Sequence, residues 1–265
     1  KNWPIEPRLS ANNASGCVVD GIVFDCYDVC GWGNPEKSSR KDKPAIGTDA
    51  LRFNRPVTIR NCVIVNTDGS AISTVGGSTI ENNLILNTMI FGIQINGTNT
   101  APPAVIKNNT MLFSWGFKEP GKGAYDGAHI KVNCPMTITN NIFAHSDSNS
   151  LYQTMQMERV SITKNVFHLN MFSNLKAFID GKDIPIDDKN MGDMEELGLK
   201  AFEGNEVANP QFAYDPAWMD LYSKRTAYSP GKVTMDDMNN LRKLMGLPVI
   251  AKGGTPATGV APRYD

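Results

Sequence analysis

Apolar and polar residues alternate in a short segment that recurs six times along the chain. Each copy begins as a strand-like run and ends in a polar, mostly Asn-rich step; the copies are residues 18–22, 59–63, 80–84, 106–110, 138–142 and 162–166. Their starts lie 41, 21, 26, 32 and 24 residues apart, which indicates stacked repeats with loops of variable length. Because alternation is strand periodicity and Asn tolerates left-handed backbone angles, each copy predicts a strand, a corner and a second strand.

Further apolar runs complete each repeat. A second strand follows the corner directly, as in residues 63–65 and 84–86, and a third closes the repeat, as in 71–74 and 129–132. Three strands per repeat predict three parallel sheets around a prism. The corner amides are expected to stack into a ladder that satisfies backbone groups of the turns. Its members are Asn83, Asn109, Asn141 and Asn165, and Cys62 holds the same position one repeat earlier.

These features resemble the right-handed parallel β-helix of the pectin-lyase-like superfamily. The resemblance covers residues 17–180 and rests on the three-strand repeat and on corners similar to the Asn ladders of that family. It implies an all-β fold, a right-handed parallel β-helix solenoid of three parallel sheets. For activity it implies only a range, because such proteins include polysaccharide lyases, glycoside hydrolases, epimerases, esterases and non-catalytic tailspikes.

The repeats divide the chain into two parts. Residues 1–180 are expected to form the β-helix rungs, and residues 181–265 a mixed helical and irregular C-terminal cap and brace, because solenoid ends expose apolar rungs. The repeat fades after residue 178. Within the cap, residues 193–203 predict a short helix, and 235–246 predict a better one with Thr234 as its N-cap. No cap is evident before the first rung, so a partner or a missing N-terminal portion is expected there.

Composition and charge narrow the functional classes. The 265 residues carry a formal net charge of −1, which argues against nucleic-acid binding. No run of about 18 apolar residues is present, so no membrane span is expected. The five cysteines are odd in number and form no zinc-type CxxC pair.

Outward positions of the third strands place candidate chemistry on one face. Because side chains alternate across a strand, successive rungs should align five outward residues in a row, namely Arg52, Ser73, Gln94, Lys131 and Tyr152. His129 lies two residues before Lys131 and is therefore expected to face outward on the same rung.

Two insertions are expected to build a wall beside this row. Residues 31–48 and 114–127 both precede a third strand and so leave from the same corner. The first is rich in Lys and Arg. Substrate-binding candidates are Trp115, Lys118, Tyr125 and Asp126 of the second insertion, with Gln94 and Ser73 on the sheet. A basic, partly aromatic groove suits an acidic linear polysaccharide, because cations attract carboxylates and aromatic rings stack on sugars.

The row contains the residue types that β-elimination on a uronic-acid polymer requires. A cation neutralises the sugar carboxylate, a base removes the C5 proton, and an acid protonates the leaving oxygen. Lys131 is predicted to be the base and Tyr152 the acid, with Arg52 or His129 as neutraliser. Lyases of the resembled fold use Lys, Arg, His or Tyr in such roles. The sequence therefore favours a lyase acting on an alginate-like or other uronate polymer, secreted or periplasmic.

Other functions stay open at this stage. A glycoside hydrolase needs two carboxylates that face one sugar, and Asp126, Asp49 and Asp68 lie at the margins of the row. A C5-epimerase needs the same groups as a lyase, and a non-catalytic carbohydrate-binding or adhesin-type β-helix needs none. The clustered acidic residues that hold calcium in many β-helix lyases are not evident. No cofactor is expected; calcium stays open as an alternative, but Asp126 with Asp49 or Glu119 is too thin a basis for a metal site.

Overall fold

The computed structural model describes residues 9–13, 15–26, 49–67, 69–118, 124–125, 127–154, 157–212, 234–244 and 249. These residues form a parallel β-helix of three sheets, as the repeat predicts. Sheet 1 contains β2 (Cys17–Asp20), β5 (Val57–Arg60), β8 (Thr79–Glu81), β11 (Ala104–Lys107), β16 (Met136–Thr139), β19 (Val160–Thr163) and β23 (Ala201–Glu203). Sheet 2 contains β3 (Val23–Asp25), β6 (Val63–Thr67), β9 (Leu84–Met89), β12 (Thr110–Trp115), β17 (Ile142–Ala144), β20 (Val166–His168) and β24 (Glu206–Val207).

Sheet 3 is the face that carries the predicted row of functional residues. It contains β1 (Leu9–Ala11), β4 (Leu51–Phe53), β7 (Ile72–Val75), β10 (Phe91–Asn96), β15 (Ala128–Val132), β18 (Asn149–Gln153), β21 (Ser173–Ile179) and β22 (Lys182–Ile186). Its neighbours pair in parallel except for β21 and β22, which are antiparallel. A separate antiparallel hairpin joins β13 (Phe117–Lys118) to β14 (Ala124–Tyr125).

Left-handed residues turn the chain from sheet 1 into sheet 2, as the Asn-rich pattern predicts. Positive φ angles occur at Gly21, Asn61, Asn82, Asn108, Asn140, Lys164 and Gly204. From the second turn onward the residue after the turn points inward, and there the amides form the expected ladder. Asn83 donates to Asn109, Asn109 to Asn141, and Asn141 to Asn165, each at 3.0 Å. The ladder continues one step further than expected, because Asn165 donates to Asn205 at 3.0 Å.

The interior of the prism is a stack of aliphatic side chains. Inward residues of sheet 1 lie in register on successive strands and are at most 1% exposed; they are Ile59, Ile80, Ile106, Ile138 and Ile162. Burying each such side chain stabilises the fold by about 1.5–3 kcal/mol. A second apolar cluster, here named the corner cluster, lies where sheet 2 turns towards sheet 3. It comprises Val65, Leu86, Met89, Ile90, Phe91, Leu112, Phe113, Trp115, Ala128 and Ala144.

The stacked strands extend beyond residue 180, where the pattern was expected to fade. β23 adds to sheet 1 and β24 to sheet 2, with Gly204 and Asn205 as their corner. The segment between β21 and β23 packs on the core, since Ile186 and Met194 are at most 1% exposed and belong to the apolar interior of the prism.

The helix predicted over residues 235–246 is confirmed in its described part, whereas the one predicted over 193–203 is not. A 3-10 helix spans Met191–Leu197 and ends at a left-handed Gly198, and Ala201–Glu203 form β23 instead. Another 3-10 turn spans Met157–Arg159. Helix α1 (Met235–Leu244) begins after Thr234, whose hydroxyl accepts from the Asp237 amide at 3.2 Å while the Asp237 carboxylate accepts from the Thr234 amide at 2.8 Å. None of the helices among the described residues is long and apolar enough to cross a membrane.

Candidate active site

The predicted row of outward residues on sheet 3 is present. Strand register places Arg52 beside Ser73, Ser73 beside Gln94, Gln94 beside Lys131, and Lys131 beside Tyr152. Neighbouring strands are about 4.8 Å apart, so the five residues span the sheet in equal steps. The register also adds a residue that the sequence analysis did not include, because Lys176 of β21 lies beside Tyr152.

Lys131 is a half-buried amine held against an aromatic ring. Its Nζ lies 5.2 Å from the ring centroid of Phe91, which belongs to the corner cluster and is 8% exposed. Burial lowers the pKa of the Lys131 ammonium, because the charged form is poorly solvated there. Among the described residues no carboxylate forms an ion pair with it. A lysine in this setting is more readily deprotonated and is suited to act as a base.

Tyr152 stands on the adjacent strand, between two lysines. It is half-buried and packs against the corner cluster, which fixes the ring. On its other side, Lys176 Nζ lies 5.2 Å from the Tyr152 ring centroid and 3.0 Å from Asp183 Oδ2. Because Lys131 and Tyr152 are directly paired, their Cα atoms are about 5 Å apart and both side chains can reach one sugar.

Lys131 and Tyr152 line one open cleft, here named the Lys131 cleft. Its volume is about 630 Å³. The other described lining residues are amides, hydroxyls and one glycine, namely Asn96, Gly97, Thr98, Asn99, Asn133 and Thr154. The Thr154 hydroxyl donates to Asn133 Oδ1 at 2.5 Å, which leaves the Asn133 NH₂ group as a donor. The cleft therefore combines one cation with several hydrogen-bonding groups.

Ser73 and Gln94 belong to a polar network next to this cleft. Gln94 Nε2 donates to Asn96 Oδ1 at 2.9 Å, and Asn96 Nδ2 donates to Ser73 Oγ at 3.3 Å. Ser73 is only 7% exposed, whereas Gln94 is half-buried. The network orients the Asn96 side chain, which lines the cleft, because the Ser73 hydroxyl accepts a hydrogen bond from it.

Arg52 is placed on the row but away from the cleft. It lies three strands from Lys131, about 14 Å between Cα atoms. Its guanidinium contacts Asp49 Oδ2 at 2.8–2.9 Å, and Asp49 also accepts from the Ser70 amide at 3.2 Å. The expectation that Arg52 neutralises the sugar on which Lys131 acts does not agree with this distance and this ion pair.

The prediction that His129 faces outward is wrong, because its side chain is 0% exposed. Its Nδ1 is 2.7 Å from Ser114 Oγ, and its ring stacks on Phe143 with centroids 5.9 Å apart. Burial lowers the pKa of His129 to about 3, so the ring is neutral. The physical reason lies at the start of β15, where burial does not alternate: Ala128 and His129 are both fully buried, and Ser114 and Phe143 contact the His129 ring.

Trp115 is also buried, which removes it as a sugar platform. It is 0% exposed within the corner cluster, and its indole N–H donates to Asn87 Oδ1 at 2.9 Å. It is the last residue of β12 rather than part of a loop. The rest of the second insertion includes the β13–β14 hairpin, on which the backbones of Lys118 and Tyr125 lie. Asp126 and the whole insertion of residues 31–48 lie outside the described residues.

The sequence analysis missed Lys176 beside Tyr152 and three residues that line the Lys131 cleft. Lys176 continues the inward–outward alternation of the third strands within residues 175–177, and this signal was available in the sequence. Asn99, Asn133 and Thr154 follow the ends of sheet 3 strands, and only the stacking of the turns brings them together. Among the described residues no group of three or more His, Cys, Asp or Glu side chains forms a metal site.

Comparison of the chain with protein-family models, with curated proteins and with solved structures gives no match. A function must therefore be inferred from the Lys131 cleft and from the face of sheet 3 that carries it.

Proposed function

We propose that this chain is a polysaccharide lyase that cleaves a uronic-acid-containing polymer by β-elimination, with the substrate along the outer face of sheet 3. The observation that carries this proposal is the pairing of Lys131 and Tyr152 on adjacent strands, side by side in one open cleft. The resemblance of the repeat to pectin-lyase-like β-helices is compatible with this activity but does not select it over the other activities of that fold. The proposal includes a secreted or periplasmic location, because such polymers occur outside the cytoplasm.

The proposed reaction uses two proton transfers. The neutral amine of Lys131 removes the proton from C5 of the uronate, and the electron pair forms the C4–C5 double bond as the C4–O bond breaks. The Tyr152 hydroxyl donates its proton to the departing oxygen, which becomes a new chain end. The lowered pKa of Lys131 favours the neutral amine that the first step requires.

The sugar carboxylate needs hydrogen-bond donors while the C5 proton leaves. Since Arg52 is distant and His129 is buried, we assign this role to the amide of Asn133 in the Lys131 cleft. Thr154 holds the Asn133 oxygen, so the NH₂ group is oriented before substrate binds. Oriented neutral donors stabilise developing negative charge, and removal of one such donor can cost about 10²–10³ in rate.

Glycoside hydrolysis has less support on this face. It requires a pair of carboxyl groups on either side of the scissile bond. None of the described residues that line the Lys131 cleft is Asp or Glu. Lys131 and Tyr152 are suited to proton abstraction and donation but not to formation of a glycosyl–carboxylate intermediate.

The test is incubation with alginate, pectate, chondroitin and neutral glycans while two products are followed. Elimination produces an unsaturated, ultraviolet-absorbing chain end and a reducing end in equal amounts. On the preferred polymer, Lys131→Ala should lower turnover by at least about 100-fold, and Tyr152→Phe should lower turnover while binding is retained. Lys200→Ala is the matched control, because Lys200 is exposed, its amide donates to the Val160 carbonyl of sheet 1, and it does not line the Lys131 cleft.

Other outcomes would each exclude elimination. Reducing ends without ultraviolet absorbance would mean hydrolysis, and inverted C5 configuration without chain cleavage would mean epimerisation. Binding without any product, unaffected by Tyr152→Phe, would mean a carbohydrate-binding module.

A further inference from the structure

A second open cleft adjoins the Lys131 cleft. We name it the Phe178 cleft; its volume is about 500 Å³. Its described lining residues are Asn99, Thr154, Met157, Glu158, Phe178, Ile179, Asp180, Leu197 and Gly198. Asn99 and Thr154 line both clefts, so the two form one continuous depression. A linear ligand held at Lys131 can therefore extend into the second cleft without leaving the surface.

Phe178 presents an aromatic face in this cleft. On β21, Leu175 and Ala177 point into the core and are 0% exposed, so alternation directs Phe178 outward, where it is 48% exposed. The Phe178 amide donates to Gln153 Oε1 at 3.4 Å, which ties its backbone to the neighbouring strand. An exposed ring on a rigid strand is a suitable platform for the apolar face of a sugar.

The two clefts differ in charge. Lys131 is the single basic residue among the described residues that line the first cleft, and none of those residues is a carboxylate. Glu158 and Asp180 are the charged residues among those described for the second, and both are exposed carboxylates. A uronate beside Glu158 and Asp180 would be repelled, whereas sugar hydroxyls can donate hydrogen bonds to them.

We infer that the Phe178 cleft binds an uncharged sugar unit adjacent to the uronate held in the Lys131 cleft. The preferred substrate is then a heteropolymer in which uronate and uncharged sugars are neighbours, rather than a homopolymer of uronates. Phe178 provides the stacking platform, and Glu158 selects against a second carboxylate. This inference rests on the proposed lyase function for the placement of the uronate, but it concerns binding and is measured separately.

The test compares two hexasaccharides by calorimetry on the full chain. One is from hyaluronan, in which glucuronate alternates with an uncharged sugar, and the other is an oligomannuronate, in which every unit is charged. Phe178→Ala should weaken hyaluronan hexasaccharide binding about fivefold and leave oligomannuronate binding unchanged, because only the first ligand places a sugar on the ring. Phe172→Ala is the matched control, since Phe172 is similarly exposed, at 46%, but does not line the cleft.

A second variant tests whether Glu158 disfavours a carboxylate in the Phe178 cleft. A carboxylate about 6 Å from another in water raises the dissociation constant about threefold, so Glu158→Gln should strengthen oligomannuronate binding by that factor at low salt. The gain should disappear at 1 M salt, where the Debye length is about 3 Å. Glu203→Gln, an exposed substitution on sheet 1, is the control.

The outcomes separate this inference from the proposed activity. If Phe178→Ala weakens binding of the hyaluronan hexasaccharide but not of oligomannuronate, the uncharged-sugar site is supported. This holds even if no unsaturated product forms, in which case the lyase proposal alone fails. Tighter wild-type binding of oligomannuronate, or equal effects of Phe178→Ala and Phe172→Ala, overturns the inference even if uronate polymers are cleaved by elimination.

Discussion

Cys62 lies one rung before the first member of the Asn ladder, and exchanging Cys and Asn between two rungs tests what the ladder contributes to stability. In a full rung, Asn109 Nδ2 donates to the carbonyls of Ile80 and Lys107 and to Asn141 Oδ1, all at 3.0 Å. The Cys62 thiol occupies the same position, with Sγ 3.1 Å from the Arg60 carbonyl and 3.8 Å from the Val19 carbonyl. The backbone is therefore the same in both rungs, and only the side chain differs.

The expected change in the free energy of unfolding follows from the bonds exchanged. Asn109→Cys removes the acceptor used by the Asn83 backbone and side-chain amides and the donor to Asn141. Three buried hydrogen bonds at about 1 kcal/mol each give a loss of about 3 kcal/mol. In Cys62→Asn, the new NH₂ group donates to Asn83 Oδ1. It also donates to the two carbonyls that the thiol contacts, and more strongly than the thiol does. Its gain is smaller, about 1 kcal/mol, because the preceding corner at Gly21 offers no amide side chain to its oxygen.

Urea unfolding followed by circular dichroism measures the global effect, and amide hydrogen exchange measures the local one. Because the Asn83 backbone amide donates to Asn109 Oδ1, its protection should fall in Asn109→Cys. Asn54→Cys is the control: Asn54 is exposed, its side chain donates to exposed Asn12 and to no other residue that the structure describes, and its cost should stay within about 0.5 kcal/mol. The reasoning is refuted if Asn109→Cys costs no more than Asn54→Cys, or if Asn83 exchanges at the wild-type rate.

Two further predictions concern buried groups near the corner cluster. Burial lowers the pKa of His129 to about 3 and that of His145 to about 4, so below pH 6.5 the unfolded chain binds more protons and stability falls as pH decreases. His129 alone contributes about 2 kcal/mol to this loss between pH 6.5 and 5. The urea midpoint of His129→Gln should therefore depend less steeply on pH than that of the wild type. The same pH dependence in both proteins would contradict the prediction. Gly127→Ala should lower the unfolding free energy by about 2 kcal/mol or more, because a Cβ there would lie 2.5 Å from the Trp115 carbonyl carbon. Gly192→Ala, where a Cβ meets no atom within 4 Å, should show no such loss in the same urea assay.

The repeat was predictable because its cause is local. An alternating run fixes which side chains face the core, and Asn at the end of the run accepts the left-handed turn. The row from Arg52 to Tyr152 followed from the same alternation, and strand register confirms it. Asn205 and Lys176 were within reach of this reasoning, since both continue patterns that are visible earlier in the chain.

The corners were not predictable in the same way. Between sheets 2 and 3 the chain turns by different lengths in each rung, and alternation no longer determines direction. Alternation was extended too far at His129, and Trp115 was assigned to an insertion, so both were expected at the surface. Ser114 contacts the buried His129, and Trp115 is buried in the corner cluster. Their burial depends on contacts between rungs that are 15 to 28 residues apart in the chain.

The sequence alone determined the three-sheet solenoid, the Asn ladder and the alignment of the candidate residues on one face, because each depends on the period of a short local pattern. Tertiary structure decided which members of that face share a site. It separated Arg52 from Lys131 by three strands, buried His129, and joined Asn99, Asn133 and Thr154 from different turns around Lys131 and Tyr152. Such grouping depends on the position at which each strand packs after its loop. Packing between rungs sets that position, and the residues adjacent in sequence do not.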